Sequence, residues 1–363
     1  MRGEGVRVLV VGAGIAGLAA ARTLRAWGAT VDVVERAAGP EDDGFGIYLP
    51  GNAARALATL GLDAAVAEHA VRIERQRFSD HKGRVLAEVD VASLWRGVGP
   101  CLALHRADLR RVLLKDVPVR WQSSVRAIAP DADGVRVTLA DGEAAEYDLV
   151  LGADGVHSAV RRLVFDGAAA RPVGQYARRF LALWPDPTPM WSVMLGPGSA
   201  FLSIPIGGGF AYCYGDTALD HRDAPLREVL ADFAEPVPTL LAAADEAPHG
   251  SLVEEVALPS WSRGAVLLIG DAAHATSPNM AEGAAMAVED AIALASSLAT
   301  SDTIDAALAA YEKRRRPRTD WVAAQTHRRD RMRGLPPLVR NLVLRRFGEH
   351  IFRANYRPLH QPP

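Results

Sequence analysis

Three glycines near the beginning of the chain have the spacing of a phosphate-binding turn. Gly12, Gly14 and Gly17 form the pattern Gly-x-Gly-x-x-Gly between a strand-like run, VRVLVV, and a helix-like run, GLAAARTLRAWG. Such glycines permit a tight turn and let the N–H groups at a helix start approach a pyrophosphate. Glu35 ends the next strand-like run, 18 residues after Gly17, where a carboxylate can accept from ribose hydroxyls. The pattern predicts a dinucleotide site and leaves NAD and FAD both open.

Two carboxylates follow later strand-like runs in the same way. Asp154 lies in YDLVLGADG (147–155), and Asp271 follows AVLLIG (265–270). A single acid in this position is typical of a strand-end cap, but two of them behind a dinucleotide motif indicate further contacts to the same nucleotide. The stretch after Asp271 predicts a helix that is rich in small residues. Its first turn therefore carries almost no side chains that would shield the backbone. One position of that stretch, Glu282, is acidic.

Two kinds of structural element must position these residues. Residues 6–35, 147–155 and 265–298 combine buried strand-like and helix-like runs, which is typical of a parallel sheet covered by helices. Residues 176–258 are dense in proline, glycine and aromatic residues, which predicts an antiparallel sheet. The chain therefore leaves one domain, builds a second and returns. The predicted boundaries are 1–72, 99–175 and 261–304 for the nucleotide-binding domain, 73–98 and 176–260 for the second domain, and 305–363 for a C-terminal helical segment.

Composition and charge restrict the class of protein. The 363 residues are 49% hydrophobic and 23% charged, with a net charge of −2, which predicts a globular chain with no general attraction to nucleic acid. Cys101 and Cys213 are too few for a disulfide framework or a multi-cysteine metal site, so we expect no metal and a cytoplasmic location. No apolar run has the length of a membrane span. We expect a monomer or a homodimer.

Taken in order, the three motifs resemble those of the FAD-dependent aromatic hydroxylases, the single-component flavoprotein monooxygenases typified by para-hydroxybenzoate hydroxylase. The resemblance covers essentially the whole chain and is closest to the short salicylate hydroxylase-like and urate hydroxylase-like members. It implies an α/β fold in which a Rossmann-like FAD-binding domain is interrupted by an antiparallel-sheet substrate domain and followed by C-terminal helices. FAD is the implied cofactor. NAD(P)H is implied as a transient co-substrate, because the chain has one Gly-x-Gly-x-x-Gly pattern.

The resemblance also implies the chemistry. NAD(P)H reduces FAD, O2 adds at the C4a atom, and the hydroperoxide hydroxylates or epoxidises an electron-rich aromatic or polycyclic small molecule. A flavin dehydrogenase or a halogenase-like enzyme on the same fold stays open, although the halogenase segment Trp-x-Trp-x-Ile-Pro is reduced here to Ile204-Pro205. A catalytically silent FAD-binding partner protein also stays open, since no side chain is a mandatory catalyst. The alanine and arginine bias indicates a GC-rich bacterium, where natural-product tailoring is common.

For the nucleotide half of FAD, the resemblance implies contacts from the first two motifs and from the stretch between them. Gly12, Gly14, Ala16 and Gly17 are expected at the pyrophosphate. Glu35 is expected at the ribose, and Arg36 is expected near the adenine. Arg106 is expected to contact the cofactor, and the backbone of Val125 is expected to contact the adenine. Asp154 is expected near the pyrophosphate and is linked to NAD(P)H use.

For the flavin half, the resemblance implies contacts from the third motif and from residues 44–57. That segment, which contains Ile47, passes beside the flavin. Asp271 bonds the ribityl chain, and Pro278 flanks the isoalloxazine. The helix start at Gly283, Ala284 and Ala285 faces the flavin pyrimidine, where reduced flavin is anionic and a helix N-terminus is favourable.

Glu282 is a departure from the family pattern. Related enzymes usually have Gly-Gln-Gly where this chain has Ala281-Glu282-Gly283. Glutamine can donate to the flavin, whereas an ionised glutamate can only accept. Three interpretations stay open: the side chain points to solvent, it is protonated with a raised pKa and donates as glutamine would, or it is charged and serves the substrate as an ion partner or base.

Two tyrosines are further candidate catalytic residues. Tyr212 and Tyr214 lie on one face of a predicted strand, where they either pack in a core or line the substrate pocket. Trp184, Trp191 and Phe201 could form the wall of the same pocket. The apolar and aromatic character of this region predicts a hydrophobic ring system as substrate and no strongly charged ligand.

Overall fold

The computed structural model describes residues 1–40, 45–131, 134–185 and 188–363. Gly44, the first residue of the segment expected beside the flavin, lies outside these ranges. Within them the backbone forms eighteen strands, numbered in chain order: β1 (Arg7–Val11), β2 (Thr30–Val34), β3 (Gly46–Leu49), β4 (Val71–Arg72), β5 (Arg75–Asp80), β6 (Val85–Asp90), β7 (Leu102–His105), β8 (Val125–Pro130), β9 (Val135–Leu139), β10 (Ala144–Tyr147), β11 (Leu149–Gly152), β12 (Arg171–Leu183), β13 (Met190–Leu195), β14 (Ser199–Gly207), β15 (Phe210–Ala218), β16 (His249–Glu255), β17 (Ser262–Arg263) and β18 (Val266–Leu268).

The described ranges also contain twelve α-helices and three short 3-10 turns. The α-helices are α1 (Ile15–Trp27), α2 (Gly51–Thr59), α3 (Asp63–Ala67), α4 (Val91–Leu94), α5 (Arg106–Leu114), α6 (Ala159–Val164), α7 (Leu226–Val229), α8 (Val237–Ala242), α9 (Asp271–His274), α10 (Gly283–Thr300), α11 (Ile304–Arg333) and α12 (Pro337–Tyr356). The 3-10 turns are Leu219–His221, Pro278–Met280 and Arg357–His360.

A five-stranded sheet forms the centre of the first domain, in the order β17-β18-β11-β1-β2. β18, β11, β1 and β2 are mutually parallel, and only β17 runs antiparallel to its neighbour. Val8, Leu9 and Val10 of β1 are fully buried, as expected for a parallel strand covered on both faces. α10 packs against α1, and Thr23 donates to the carbonyl of Ala291 at 3.2 Å.

A seven-stranded sheet forms the second layer, in the order β16-β12-β15-β14-β13-β5-β6. Its pairs are antiparallel except that of β13 with β5. β5 and β6 come from the earlier part of the chain and β12 to β16 from the later part. β12 already begins at Arg171, so the exact domain boundaries stay a prediction. The predicted architecture, a parallel-sheet α/β domain interrupted by an antiparallel sheet and followed by helices, is confirmed.

The C-terminal helices are fixed to both layers. α11 is held to α10 by Arg315, which donates to Glu289 and Asp290 at 2.8 Å each, with all three side chains fully buried. α12 packs on β6, where a Cβ at Gly348 would lie 2.7 Å from the Cβ of Ala87. Among the described helices, none combines the length and the apolar character that crossing a bilayer requires.

Candidate active site

All three sequence motifs follow the carboxyl ends of adjacent parallel strands. The register pairs Val11 with Gly152, and Gly152 with Leu268, so β1, β11 and β18 end side by side. Ligands bind at this edge in open α/β sheets because loops and helix starts converge there. The motifs that are far apart in sequence therefore meet around one space.

The glycine turn between β1 and α1 is shaped by close backbone contacts. Gly12 has a φ of 107°, and a Cβ there would lie 2.5 Å from the carbonyl oxygen of Ala153. A Cβ at Gly17 would overlap the carbonyl oxygen of Gly12, whereas the space above Gly14 is open. Two glycines thus permit the turn, and the third leaves room for a ligand at the N-terminal end of α1.

The Glu35 carboxylate joins the end of β2 to this turn. Its Oε2 accepts from the N–H of Ala13 at 2.8 Å, and its Oε1 accepts from the N–H of Ala37 at 3.0 Å. The residue expected at the ribose therefore also stabilises the glycine turn. Sequence reasoning missed this second role, because the motif does not indicate that Glu35 contacts the N–H groups of Ala13 and Ala37.

A cavity of about 540 Å³ opens over the glycine turn. It brings together most residues expected on the nucleotide half of FAD: Gly12, Gly14, Glu35, Arg36, Arg106, Val125 and Asp154. Arg110 also lines it and donates to the carbonyl of Ala13 at 3.2 Å, a contact that sequence reasoning missed. Ala16 does not line this cavity. It is buried against the third motif, where a Cβ added at Gly270 would lie 2.8 Å from the Cβ of Ala16.

Asp154 lines the cavity and also caps α6. Its carboxylate accepts from the hydroxyl of Ser158 and from the N–H of Ala159 at 2.6 Å. An acid at a helix start accepts the unpaired N–H groups and complements the helix dipole. The second motif therefore fixes the orientation of α6 next to the nucleotide cavity.

A second cavity, of about 710 Å³, lies between the two sheets. Its helical wall consists of Asp271, Pro278, Glu282, Gly283 and Ala284, and its sheet wall includes Trp191, Leu202, Ile204, Tyr212 and Tyr214. Ile47 of β3 also lines it, as do Leu344, Gly348 and Phe352 of α12. His157 lines both cavities, so the two spaces adjoin. The third motif thus faces the aromatic sheet across a common volume.

The N-terminal end of α10 points its backbone into this space. The helix begins at Gly283 and has no capping side chain, so its first N–H groups are available to a ligand. The Asp271 carboxylate lies close by, with Oδ1 3.9 Å from where a Cβ of Gly283 would be. The side chain of Asp271 is exposed rather than buried at its strand end. Ala285 is fully buried and does not line the cavity.

Glu282 is buried, so the interpretation that it points to solvent is wrong. Its side chain is 1% exposed, and its Oε2 accepts from Nδ2 of Asn52 at 2.9 Å, whereas Oε1 has no partner. Burial raises the pKa of Glu282 to about 8, although the bond from Asn52 acts in the opposite direction. The side chain is therefore mostly a neutral acid at pH 7. Sequence reasoning missed Asn52, which α2 brings to Glu282 across 230 residues.

Alternation along the strands decides which aromatic residues face the cavity. Trp191 lines it and packs against Tyr48 with ring centroids 4.5 Å apart and the ring planes tilted by 48°. Phe201 points to the opposite face and packs on Phe180, and Trp184 packs beside that second core. The prediction that Trp184 and Phe201 form part of the pocket wall is therefore wrong.

Both candidate tyrosines line the cavity, and its lining also carries charges. The hydroxyl of Tyr214 is buried without a partner, and burial raises its pKa well above the ordinary value, so it stays protonated. Tyr212 lies next to Arg179, and an ion pair between Arg333 and Asp216 lines the same space. The lining is therefore not only apolar and aromatic, and the expected absence of a strongly charged ligand stays a prediction.

The side chains and backbone of the two cavities fit FAD. The glycine turn forms a cradle that a Cβ would fill, Glu35 and the arginines supply acceptors and cations, and the uncapped start of α10 supplies donors. Within the described ranges, no group of three or more potential ligand side chains is placed to hold a metal ion.

Comparison with known proteins agrees with this fit. A family model described as FAD binding domain matches residues 5–171 and 248–326. A 3-amino-4-hydroxybenzoate 2-monooxygenase of Streptomyces platensis is 36% identical over 352 residues, which cover 90% of this chain and 87% of the relative. The aurachin C monooxygenase/isomerase of Stigmatella aurantiaca is 32% identical over 345 residues, which cover 89% and 88%.

The fold itself is similar to that of a solved flavoprotein. The crystal structure of Klebsiella pneumoniae HpxO complexed with FAD and uric acid superposes with a TM-score of 0.90 and is 28% identical, covering 100% of this chain and 98% of that one.

Proposed function

The chain belongs to the FAD-dependent aromatic hydroxylases, and from this premise we propose that it uses NAD(P)H and O2 to hydroxylate or epoxidise an electron-rich aromatic or polycyclic small molecule. FAD supplies the redox chemistry when bound: it takes electrons from NAD(P)H and, with O2, delivers one oxygen atom to the substrate while the other leaves as water. The protein supplies binding, orientation and a dry site.

In this proposal, each cavity holds one half of the cofactor. Gly14 and the start of α1 hold the pyrophosphate, and Glu35 and Arg36 hold the adenosine. Asp271 accepts from the ribityl chain. The uncapped N–H groups at Gly283 stabilise negative charge on the reduced cofactor, because a helix N-terminus carries a partial positive charge.

The observation that carries the proposal is the common volume between the third motif and the aromatic sheet. That cavity of about 710 Å³ is large enough for a flavin ring together with a small aromatic molecule, and α12 contributes to its lining. The unpartnered hydroxyl of Tyr214 is available to a polar group of the substrate.

Substrate-stimulated NAD(P)H oxidation tests the proposal. The purified protein should release FAD on denaturation, and a panel of phenolic and polycyclic compounds should include some that accelerate NADH or NADPH consumption and gain one oxygen atom by mass. Electron transfer without O2 uptake would favour a flavin dehydrogenase, and a product that requires halide would favour a halogenase-like enzyme. FAD binding with no stimulated oxidation across the panel would favour a catalytically silent protein.

A further inference from the structure

The first half of α12 and the turn before it carry a cluster of exposed apolar side chains. Nine large apolar side chains are exposed within the described ranges, and five of them lie between residues 335 and 347. These five are Leu335, Leu338, Val339, Leu342 and Phe347. Leu338 and Leu342 are 86% and 69% exposed, and their spacing of four positions places them on one side of the helix, together with Val339. We call Leu338, Val339 and Leu342 the α12 patch.

The opposite face of α12 is packed against the antiparallel sheet. Leu344 and Phe352 are buried and line the second cavity. Arg340 is also buried, and it donates to the backbone carbonyls of Leu195 and Gly196. Since α12 is already anchored through this face, the fold of the described residues leaves the α12 patch uncovered. A contiguous apolar surface on a globular protein marks a binding surface, whereas single exposed apolar residues do not.

Exposed arginines border the α12 patch. Residues 331–348 contain five arginines and no aspartate or glutamate. Two of the five bond a carboxylate or backbone carbonyls inside the protein. The other three, Arg331, Arg345 and Arg346, are exposed, and none of them forms an ion pair with a described residue. Arg345 and Arg346 lie one helical turn after the patch and therefore on its side of the helix.

A surface with an apolar centre and a cationic border complements an anionic lipid bilayer. In such a contact the apolar side chains enter the boundary of the acyl chains, and the arginines stay at the level of the lipid phosphates. A second copy of the chain is less complementary. A two-fold axis through the patch would bring the exposed arginines of both copies together, and residues 331–348 contain no carboxylate to neutralise them.

We propose that the α12 patch docks the protein on the surface of anionic phospholipid bilayers. The helix lies in the plane of the interface, with Leu338 and Leu342 inserted and with Arg345 and Arg346 beside lipid phosphates. Because the inner face of α12 lines the second cavity, docking places that cavity about one helix diameter, about 10 Å, from the lipid. The inference does not rest on the proposed function, since the patch lies outside both cavities.

Cosedimentation of the FAD-loaded full-length protein with vesicles tests the docking. One set of vesicles is phosphatidylcholine alone, and the other is an equimolar mixture of phosphatidylcholine and phosphatidylglycerol. Three arginines, at about fivefold each, predict that the anionic vesicles bind the protein about a hundredfold more tightly than the neutral ones. Added salt should weaken this preference, because it screens the arginines from the lipid charge.

Paired substitutions link the binding to the α12 patch. Leu338→Ser combined with Leu342→Ser should weaken binding to anionic vesicles about tenfold or more, because less apolar surface is buried in the lipid. Arg345→Gln combined with Arg346→Gln should reduce the preference for anionic vesicles about 25-fold, at about fivefold for each arginine.

Controls for these variants come from exposed sites elsewhere on the protein. Leu183→Ser and Arg227→Gln change exposed side chains of the second domain and should bind vesicles as the wild type does. Every variant alters an exposed residue, so FAD content and thermal midpoint should match those of the wild type. The comparison of neutral and anionic vesicles with the wild-type protein stays decisive even if a variant fails to fold.

Three results would overturn the proposal. The first is a wild-type protein that binds anionic vesicles no better than neutral ones. The second is unchanged binding in both paired variants. The third is self-association in gel filtration that Leu338→Ser with Leu342→Ser abolishes, in the absence of vesicle binding, which would assign the patch to a second copy of the chain. None of these measurements requires turnover, so failure of the proposed monooxygenase activity would leave the docking result standing.

Discussion

The side-chain amide of Asn52 donates to Oε2 of Glu282 at 2.9 Å, while the other carboxyl oxygen of Glu282 has no partner. An amide donor suits an ionised and a neutral carboxyl alike, so this bond does not decide the protonation state. Burial does, because it raises the pKa of Glu282 to about 8. At pH 7 the side chain is therefore a protonated acid that can donate from its free oxygen, as a glutamine at this position could.

Glu282 makes the stability of the protein dependent on pH. In the unfolded chain the carboxyl ionises near the ordinary glutamate pKa of 4.5, whereas in the folded protein it stays protonated up to about pH 8. Between these values the unfolded state binds fewer protons, so stability falls as pH rises. At 1.36 kcal/mol for each pKa unit, the wild-type protein should lose up to about 5 kcal/mol of unfolding free energy between pH 4.5 and pH 8. Glu282→Gln should remove this loss.

Urea unfolding of the holoprotein at several pH values measures this effect. Glu68→Gln, at an exposed site, is the control. Parallel pH profiles for wild type and Glu282→Gln would show that the carboxyl does not carry a raised pKa in the folded protein.

The same carboxyl should control the flavin potential in alkaline solution only. An ionised carboxylate about 4 Å from the reduced flavin would repel it by up to about 4 kcal/mol at an effective dielectric constant near 20, or about 90 mV for a two-electron couple. Wild type and Glu282→Gln should therefore have the same potential well below pH 8, and Glu282→Gln the higher one above it. Dye-linked reduction titrations measure the difference, and coincident potentials at all pH values would mean that the side chain does not face the flavin.

Two glycines of the turn, Gly14 and Gly17, should respond differently to alanine. The space above Gly14 is open and its φ is −81°, so Gly14→Ala should fold normally but lose FAD, because the methyl group occupies the place of the pyrophosphate. Gly17→Ala should lower the thermal midpoint of the apoprotein, because its Cβ overlaps the carbonyl of Gly12. Calorimetry and FAD content after gel filtration separate the two effects. Full FAD occupancy in Gly14→Ala would contradict the position of the cradle.

Glu35→Ala should purify with little FAD and be partly rescued by added FAD. It removes charge-assisted bonds worth about 1.5–3 kcal/mol, including the one that holds the glycine turn at Ala13. Isothermal titration of the apoprotein with FAD measures the loss. Asp32→Ala is the matched control, because Asp32 lies on β2, the strand that leads to Glu35, and accepts from the hydroxyl of Tyr147. Normal FAD affinity with lost turnover in Glu35→Ala would count against this role.

Tyr214→Phe should weaken substrate binding without destabilising the protein. The hydroxyl is buried without a partner, so its removal relieves a desolvation cost and leaves the free energy of unfolding equal or higher. A substrate that bonds this hydroxyl should show a KM raised about fivefold or more, in line with about 1 kcal/mol for a neutral hydrogen bond. A lower unfolding free energy with unchanged KM would assign the residue to the core alone.

Local sequence patterns predicted the parts of the site that depend on the backbone. The glycine turn, the acids at strand ends and the bare start of α10 at Gly283 each follow from a few neighbouring residues. Strand alternation could also have predicted that Phe201 faces away from the cavity. Side chains alternate between the two faces of a strand, and the adjacent Leu202 lines the cavity.

What the patterns could not predict depends on contacts between distant residues. Nothing in the stretch around Glu282 indicates that the fold buries this side chain beside Asn52 of α2, and the burial decides its protonation state.

The origin of the oxygen in the product tests the central claim most directly. With FAD-loaded protein, NAD(P)H and an accepted aromatic substrate under 18O2, the monooxygenase predicts a product that carries one 18O atom, with about one NAD(P)H consumed for each product formed. Under 16O2 in H2 18O, the product should carry no label. A product that gains no oxygen from O2, or whose new oxygen comes from water, would contradict the account.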